Sequence, residues 1–152
     1  MRIGWITANT DFINHMIEAK NIISICNDGL SQYAAAELFR RGDVERQIPK
    51  VTKVYRKKRD IMLEAMETSF PKKAKWESPK GGLFLWVKFP RNFNTDELLK
   101  DAVAKGVAYV PGSLFFSKPV HNYMRLNYSL PSEDDIVTGI QALSRLLKEK
   151  LR

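Results

Sequence analysis

Residues 49–152 predict an α+β sandwich in which a mostly antiparallel sheet is covered by helices on one face. Two observations carry this. From Val51 onward the periodic segments run helix, strand, strand, helix, strand, strand, helix. Within them, strand segments alternate apolar and polar residues, while helical segments repeat apolar residues every three or four positions. Residues 1–48 fall outside that order. They predict one strand and two helices, joined to the sandwich through a long helix.

Taken in order, Ile3–Thr7 is rich in β-formers and predicts a short strand. A strand's backbone groups need neighbours, and none of the next sixty residues predicts a pairing strand. The expectation that follows is a piece of a longer protein. Asn9, Thr10 and Asp11 offer capping side chains before Phe12, Ile13, Met16 and Ile17, predicting a helix over 10–20. A second, alanine-rich helix follows over Leu30 to Arg41 and stops at Gly42. Because proline is tolerated in a first helical turn, the long helix is predicted to start near Pro49 and to reach Ser69.

Lys75–Ser78 and Leu83–Phe89 predict two strands of a hairpin, with Gly81 and Gly82 supplying the positive φ angles of a tight turn. Phe84 and Trp86 are expected in the core. Asn94 or Thr95 caps a short helix closed by Gly106, then Val107–Val110 predicts a strand and Pro111-Gly112-Ser113 a tight loop. Tyr109 is left open between core and ligand contact. Ser132 and Asp135 form a capping box for the last helix over 133–150, whose stripe is Ile136, Ile140, Leu143 and Leu147.

Between those elements, Asn122–Pro131 places one arginine in an apolar strand. Met124, Leu126 and Tyr128 share one face, and Arg125, Asn127 and Ser129 share the other. The planar fork of Arg125 matches two carboxylate oxygens. A salt-bridged surface arginine is the other meaning of the same pattern.

Composition narrows the function classes. Lys and Arg number 25 against 17 acidic residues, a formal charge of +8 that raises nucleic acid as a partner. The distribution argues against it: the densest basic run, Lys53 to Arg59, fits the wet face of an amphipathic helix, and no zinc-finger spacing or aromatic RNA-binding strand accompanies it. Cys26 is the single cysteine, so an intrachain disulfide is excluded and the cytoplasm is the default. With no histidine near it, Cys26 is expected to be a buried structural thiol. Two histidines, His15 and His121, leave little material for a metal site or a triad. No stretch approaches the ~20 apolar residues of a membrane span.

Four phrases then occur in one order: Arg-Ile-Gly-Trp at 2–5, Gly-Gly-Leu-Phe-Leu-Trp at 81–86, Gly-Val-Ala-Tyr-Val-Pro-Gly at 106–112 and Met-Arg-Leu-Asn-Tyr at 124–128. In this order they resemble the C-terminal part of a fold-type I pyridoxal-phosphate aminotransferase. The resemblance is narrower to the class I/II branch that holds 2-aminoadipate and broad-specificity aminotransferases and the aminotransferase-like halves of MocR-type regulators. It covers the whole chain without a large gap.

The resemblance implies that residues 1–48 are the tail of the large cofactor-binding domain and residues 49–152 the small C-terminal domain. It implies that Arg2 pairs with the cofactor phosphate and that Arg125 holds the substrate α-carboxylate. The Schiff-base lysine would lie upstream of Arg2, and none of the chain's own lysines follows the family's Ser-Lys context. The chain alone is therefore expected to be inactive, with no catalytic residue of its own, while the intact parent exchanges an amino group between an amino acid and a 2-oxo acid as a cytoplasmic homodimer. The alternative implied by the same branch is the sensor half of a MocR-type transcription regulator.

Overall fold

A computed structural model describes residues 2–151, which divide into two compact units, Met1–Lys50 and Val51–Arg152. In the first unit, α1 spans Thr10–Ile23 and α2 spans Gly29–Arg40. Their starts follow side-chain chemistry: the Asn9 side chain accepts from the Phe12 amide, and the Asp28 carboxylate accepts from the Leu30 and Ser31 amides. No described residue of 2–50 is buried. The Trp5 and Phe39 rings meet edge-on, with centroids 5.8 Å apart.

The first unit corrects two expectations. Ile3–Thr7 forms no strand, because none of the strands present pairs with it and β structure exists only through pairing. Cys26 is exposed, in the link between α1 and α2 where no core is available to receive it.

α3, Asp43–Ser69, begins six residues before Pro49 and contains it. The expected start near the proline is therefore wrong. The Gly42 carbonyl already accepts from the Arg46 amide, so a turn of helix exists before the proline is reached.

In the second unit, β1 is Lys75–Trp76, β2 is Phe84–Lys88, α4 is Thr95–Ala104, β3 is Val110–Pro111, β4 is Tyr123–Asn127 and α5 is Glu133–Lys150. The four strands make one antiparallel sheet in the order β1-β2-β4-β3. The predicted antiparallel sheet and helical cover are both present, but two strands are shorter than predicted. β1 ends at Trp76 and β3 holds only Val110 and Pro111, since each pairs over two residues before its chain turns away. The expected tight hairpin is also corrected. A longer link joins β1 to β2, and of Gly81 and Gly82 only Gly82 has a positive φ (86°). The Gly82 carbonyl accepts from the Tyr128 hydroxyl at 2.8 Å, fastening that link to the end of β4.

One face of the sheet is buried. Leu85, Val87, Met124 and Leu126 pack with Met62 and Met66 of α3, Leu98 and Ala102 of α4, and Ile136, Ile140, Leu143 and Leu147 of α5. α4 is capped by the Asn94 side chain, which accepts from the Asp96 and Glu97 amides, and α5 by the Ser132–Asp135 box. The basic run on α3 is more than a wet face. Lys58 donates to the carbonyls of Ser129 and Pro131 at 3.0 and 2.6 Å, and Arg59 donates to the Pro79 carbonyl at 3.0 Å.

Pro111-Gly112-Ser113 leads into a 3-10 turn, Gly112–Phe115. A Cβ on Gly112 would lie 2.4 Å from the Tyr123 Cβ and 2.9 Å from the Tyr123 carbonyl oxygen. Glycine is required here by the approach of β4, not by its own φ. No helix is long and apolar enough to cross a membrane among the described residues.

Two substitutions test this packing by denaturant unfolding of the chain. Leu85→Ala empties a fully buried site and should cost about 2–5 kcal/mol. Gly112→Ala adds one methyl against a fixed backbone and should cost about 1–3 kcal/mol, whereas Gly81→Ala, which meets nothing within 4 Å, should leave the midpoint unchanged.

Candidate active site

The sheet face opposite the core carries the candidate site. β2 and β4 pair so that Phe84 faces Asn127, Trp86 faces Arg125 and Lys88 faces Tyr123. Since side chains alternate, these six share the face that Leu85, Val87, Met124 and Leu126 leave. Phe84 and Trp86 are thus not core residues, and the expectation that placed them there is corrected. Lys88 was the available signal. It has the parity of Phe84 and Trp86, and a lysine marks the face that remains wet.

Arg125 is flanked by rings. Its guanidinium carbon lies 4.0 Å from the centroid of Phe84 and 4.5 Å from that of Phe115. Phe84 reaches it diagonally across the strand pair, while Phe115 arrives from the 3-10 turn. Trp86 meets Phe115 edge-on at 5.5 Å and stacks on Tyr123 at 5.7 Å, and Phe116 closes on Tyr123 at 5.3 Å. The Arg125 Nε is buried without a hydrogen-bond partner. Among the described residues no carboxylate stands within 4.0 Å of its guanidinium, so the surface ion pair that the sequence left open is not what holds it.

The turn that carries Phe115 is tied down at its other end. Ser113 donates to one oxygen of Asp96 at 2.5 Å, and His121 Nδ1 lies 3.0 Å from the other. An ionised carboxylate can only accept, so Nδ1 carries the proton of this contact. Burial pushes the Asp96 carboxyl up, but the Ser113 and His121 hydrogen bonds outweigh it and hold the group below the usual carboxylate range. Nearby, Thr95 is fully buried with its hydroxyl within 2.8 and 2.6 Å of the His121 and Tyr123 carbonyls. Tyr109 is a core residue. Its hydroxyl donates to the Thr95 carbonyl at 2.5 Å, and burial raises its pKa so that it stays a neutral donor.

Arg2 belongs to the first unit. It is exposed, and its backbone adopts the left-handed region (φ 60°), which a non-glycine residue enters at a cost of about 1–3 kcal/mol. Arg125 belongs to the second unit, where the structure joins it to Phe84 and Phe115. Sequence reasoning missed Phe115 as its neighbour, because nothing in the spacing of a 3-10 turn points at a strand ten residues on.

With this geometry in view, the family model for aminotransferases of class I and II matches residues 1–143. The chain belongs to that family. It is 41% identical over 152 residues to aromatic-amino-acid aminotransferase 1 of Thermococcus litoralis, covering 99% of this chain and 36% of that protein. The solved structure of Pyrococcus horikoshii kynurenine aminotransferase, in complex with PMP, superimposes with a TM-score of 0.85 at 39% identity, over 94% of this chain and 36% of that one. YdfD of Bacillus subtilis, an uncharacterized HTH-type transcriptional regulator, is 33% identical over 149 residues, 98% of this chain and 31% of that protein. The chain spans little more than a third of the curated aminotransferases it matches, 38% and 36% of the first two. Its antiparallel sheet and helical cover are the fold of the small C-terminal domain of fold-type I aminotransferases.

The Asp96 contacts set a pH dependence. A carboxyl whose folded pKa is depressed stabilises the fold above its unfolded value, near 3.8, and loses that contribution as pH falls through the folded value. Thermal melts of the chain should therefore show an acid-side loss of stability below about pH 4 that is smaller in Asp96→Asn.

Proposed function

We propose that this chain supplies the substrate-carboxylate arginine of a pyridoxal-phosphate aminotransferase that exchanges an amino group between an amino acid and a 2-oxo acid. The single observation that carries it is Arg125: a strand-borne guanidinium with a buried, unpartnered Nε and, among the described residues, no carboxylate within 4.0 Å, in a chain of the aminotransferase family. Such a donor set fits an anion, and a carboxylate presents two oxygens at the spacing of the guanidinium fork. Residues 1–48 are the tail of the large cofactor-binding domain in this proposal, and residues 49–152 the small domain.

The cofactor, when bound, supplies the electron sink that makes the substrate Cα–H acidic. The chain's own part is binding and orientation. Arg125 takes the α-carboxylate and Arg2 the cofactor phosphate, two anions whose neutralisation fixes the substrate's placement. Support for the cofactor comes from the relatives: the α-aminoadipate aminotransferase of Thermus thermophilus was solved with N-(5'-phosphopyridoxyl)-L-leucine. A homodimer in the cytoplasm belongs to the same proposal, supported by the single cysteine and by apolar side chains such as Ile22 and Ile25 that the first unit leaves exposed.

The match to YdfD favours a second function, the sensor half of a transcription regulator. A DNA-binding segment in the same open reading frame decides for it.

The full-length gene product, supplied with pyridoxal phosphate, should show a visible cofactor band that an amino acid bleaches. In it, Arg125→Gln should raise KM for both amino acid and 2-oxo acid on the order of a hundredfold with the band retained. A colourless protein that takes up no cofactor would sink the proposal.

A further inference from the structure

The guanidinium of Arg125 poses a physical problem. A free arginine side chain holds about 2 kcal/mol of rotamer entropy, and an orienting partner must offset it. A carboxylate is one such partner. Here a carboxylate would be self-defeating, since its oxygens would occupy the donors that the substrate needs. Two aromatic rings stand in its place, at 4.0 and 4.5 Å.

We propose that Phe84 and Phe115 are positioning residues that hold the Arg125 guanidinium in place for a carboxylate. This rests on Arg125 as the carboxylate-binding group set out above. An aromatic ring attracts a cation through its quadrupole but offers no acceptor oxygen, so the guanidinium is fixed while its N–H fork stays free. The Arg125 Nε is buried and unbonded in the guanidinium that these two rings flank.

Both rings are carried by a fixed backbone. Phe84 sits in β2, in register with β4 on the strand pair that carries Arg125 itself. Phe115 rides on the 3-10 turn, whose first residue, Gly112, lies against the Tyr123 backbone and whose second, Ser113, is bonded to Asp96. Trp86 braces Phe115 edge-on at 5.5 Å. The stack is therefore built from two separate segments that meet at one cation, and a substitution in either should loosen it.

Because Phe84 and Phe115 are 40% and 48% exposed, replacing them spares the core. In the 152-residue chain, the Arg125 Nε–H resonance should be displaced upfield by the ring currents, move back toward ordinary arginine in Phe84→Leu and Phe115→Leu, and stay displaced in Phe84→Tyr and Phe115→Tyr. Titrated with succinate as a plain carboxylate probe, the Leu variants should bind roughly three- to tenfold more weakly, and the Tyr variants within about twofold of the unsubstituted chain. An Nε–H resonance unmoved in both Leu variants, or succinate affinity unchanged by them, would overturn the inference. Ring-displaced resonances that do not respond to succinate in the unsubstituted chain would instead overturn Arg125 as the carboxylate-binding group, leaving the stack itself established.

Discussion

The register of β2 against β4 is the constraint on which the second unit depends. Leu85 opposite Leu126 and Val87 opposite Met124 put four apolar side chains on the helices. The same pairing sets Trp86 opposite Arg125 on the other face. A slip of one residue would exchange the faces, burying a guanidinium and exposing the core set. Core and candidate site are therefore two results of one register.

Side-chain bonds to the backbone secure β4 at both ends. At its start, Asn122 donates to the Phe89 carbonyl at 2.6 Å and Thr95 reaches the Tyr123 carbonyl. Past its end, Tyr128 reaches back to Gly82 and Lys58 gathers the carbonyls of Ser129 and Pro131. Each of these donors meets a backbone carbonyl of β4 or of the segments that flank β2 and β4. A rigid strand suits an arginine that must present two donors at a set angle, because only its side-chain torsions remain to be fixed.

Several features were legible from residue pattern alone. The alternation of Tyr123–Tyr128 placed Arg125 away from the core, and capping chemistry located the starts of α1, α4 and α5 to within a residue. Other features were not. Pro49 marked a helix start by propensity, yet the chain was already helical from Asp43, since hydrogen bonding established before the proline outweighs its local preference. Phe84 and Trp86 were hydrophobic enough to suggest the core, but side-chain parity with Lys88 decided their face. Ile3–Thr7 had the composition of a strand and no strand to pair with.

By itself the sequence determined the order of elements, the α+β class, the two faces of the arginine strand and the family phrases, because each is written in local spacing and side-chain chemistry. Only the tertiary structure decided what stands beside Arg125. The Phe115 ring comes from a 3-10 turn and the Phe84 ring from a neighbouring strand, and neither spacing refers to the arginine. Their meeting depends on the β2–β4 register and on the close approach of Tyr123 to Gly112. Contacts between segments distant in sequence are set by packing, which no local pattern encodes.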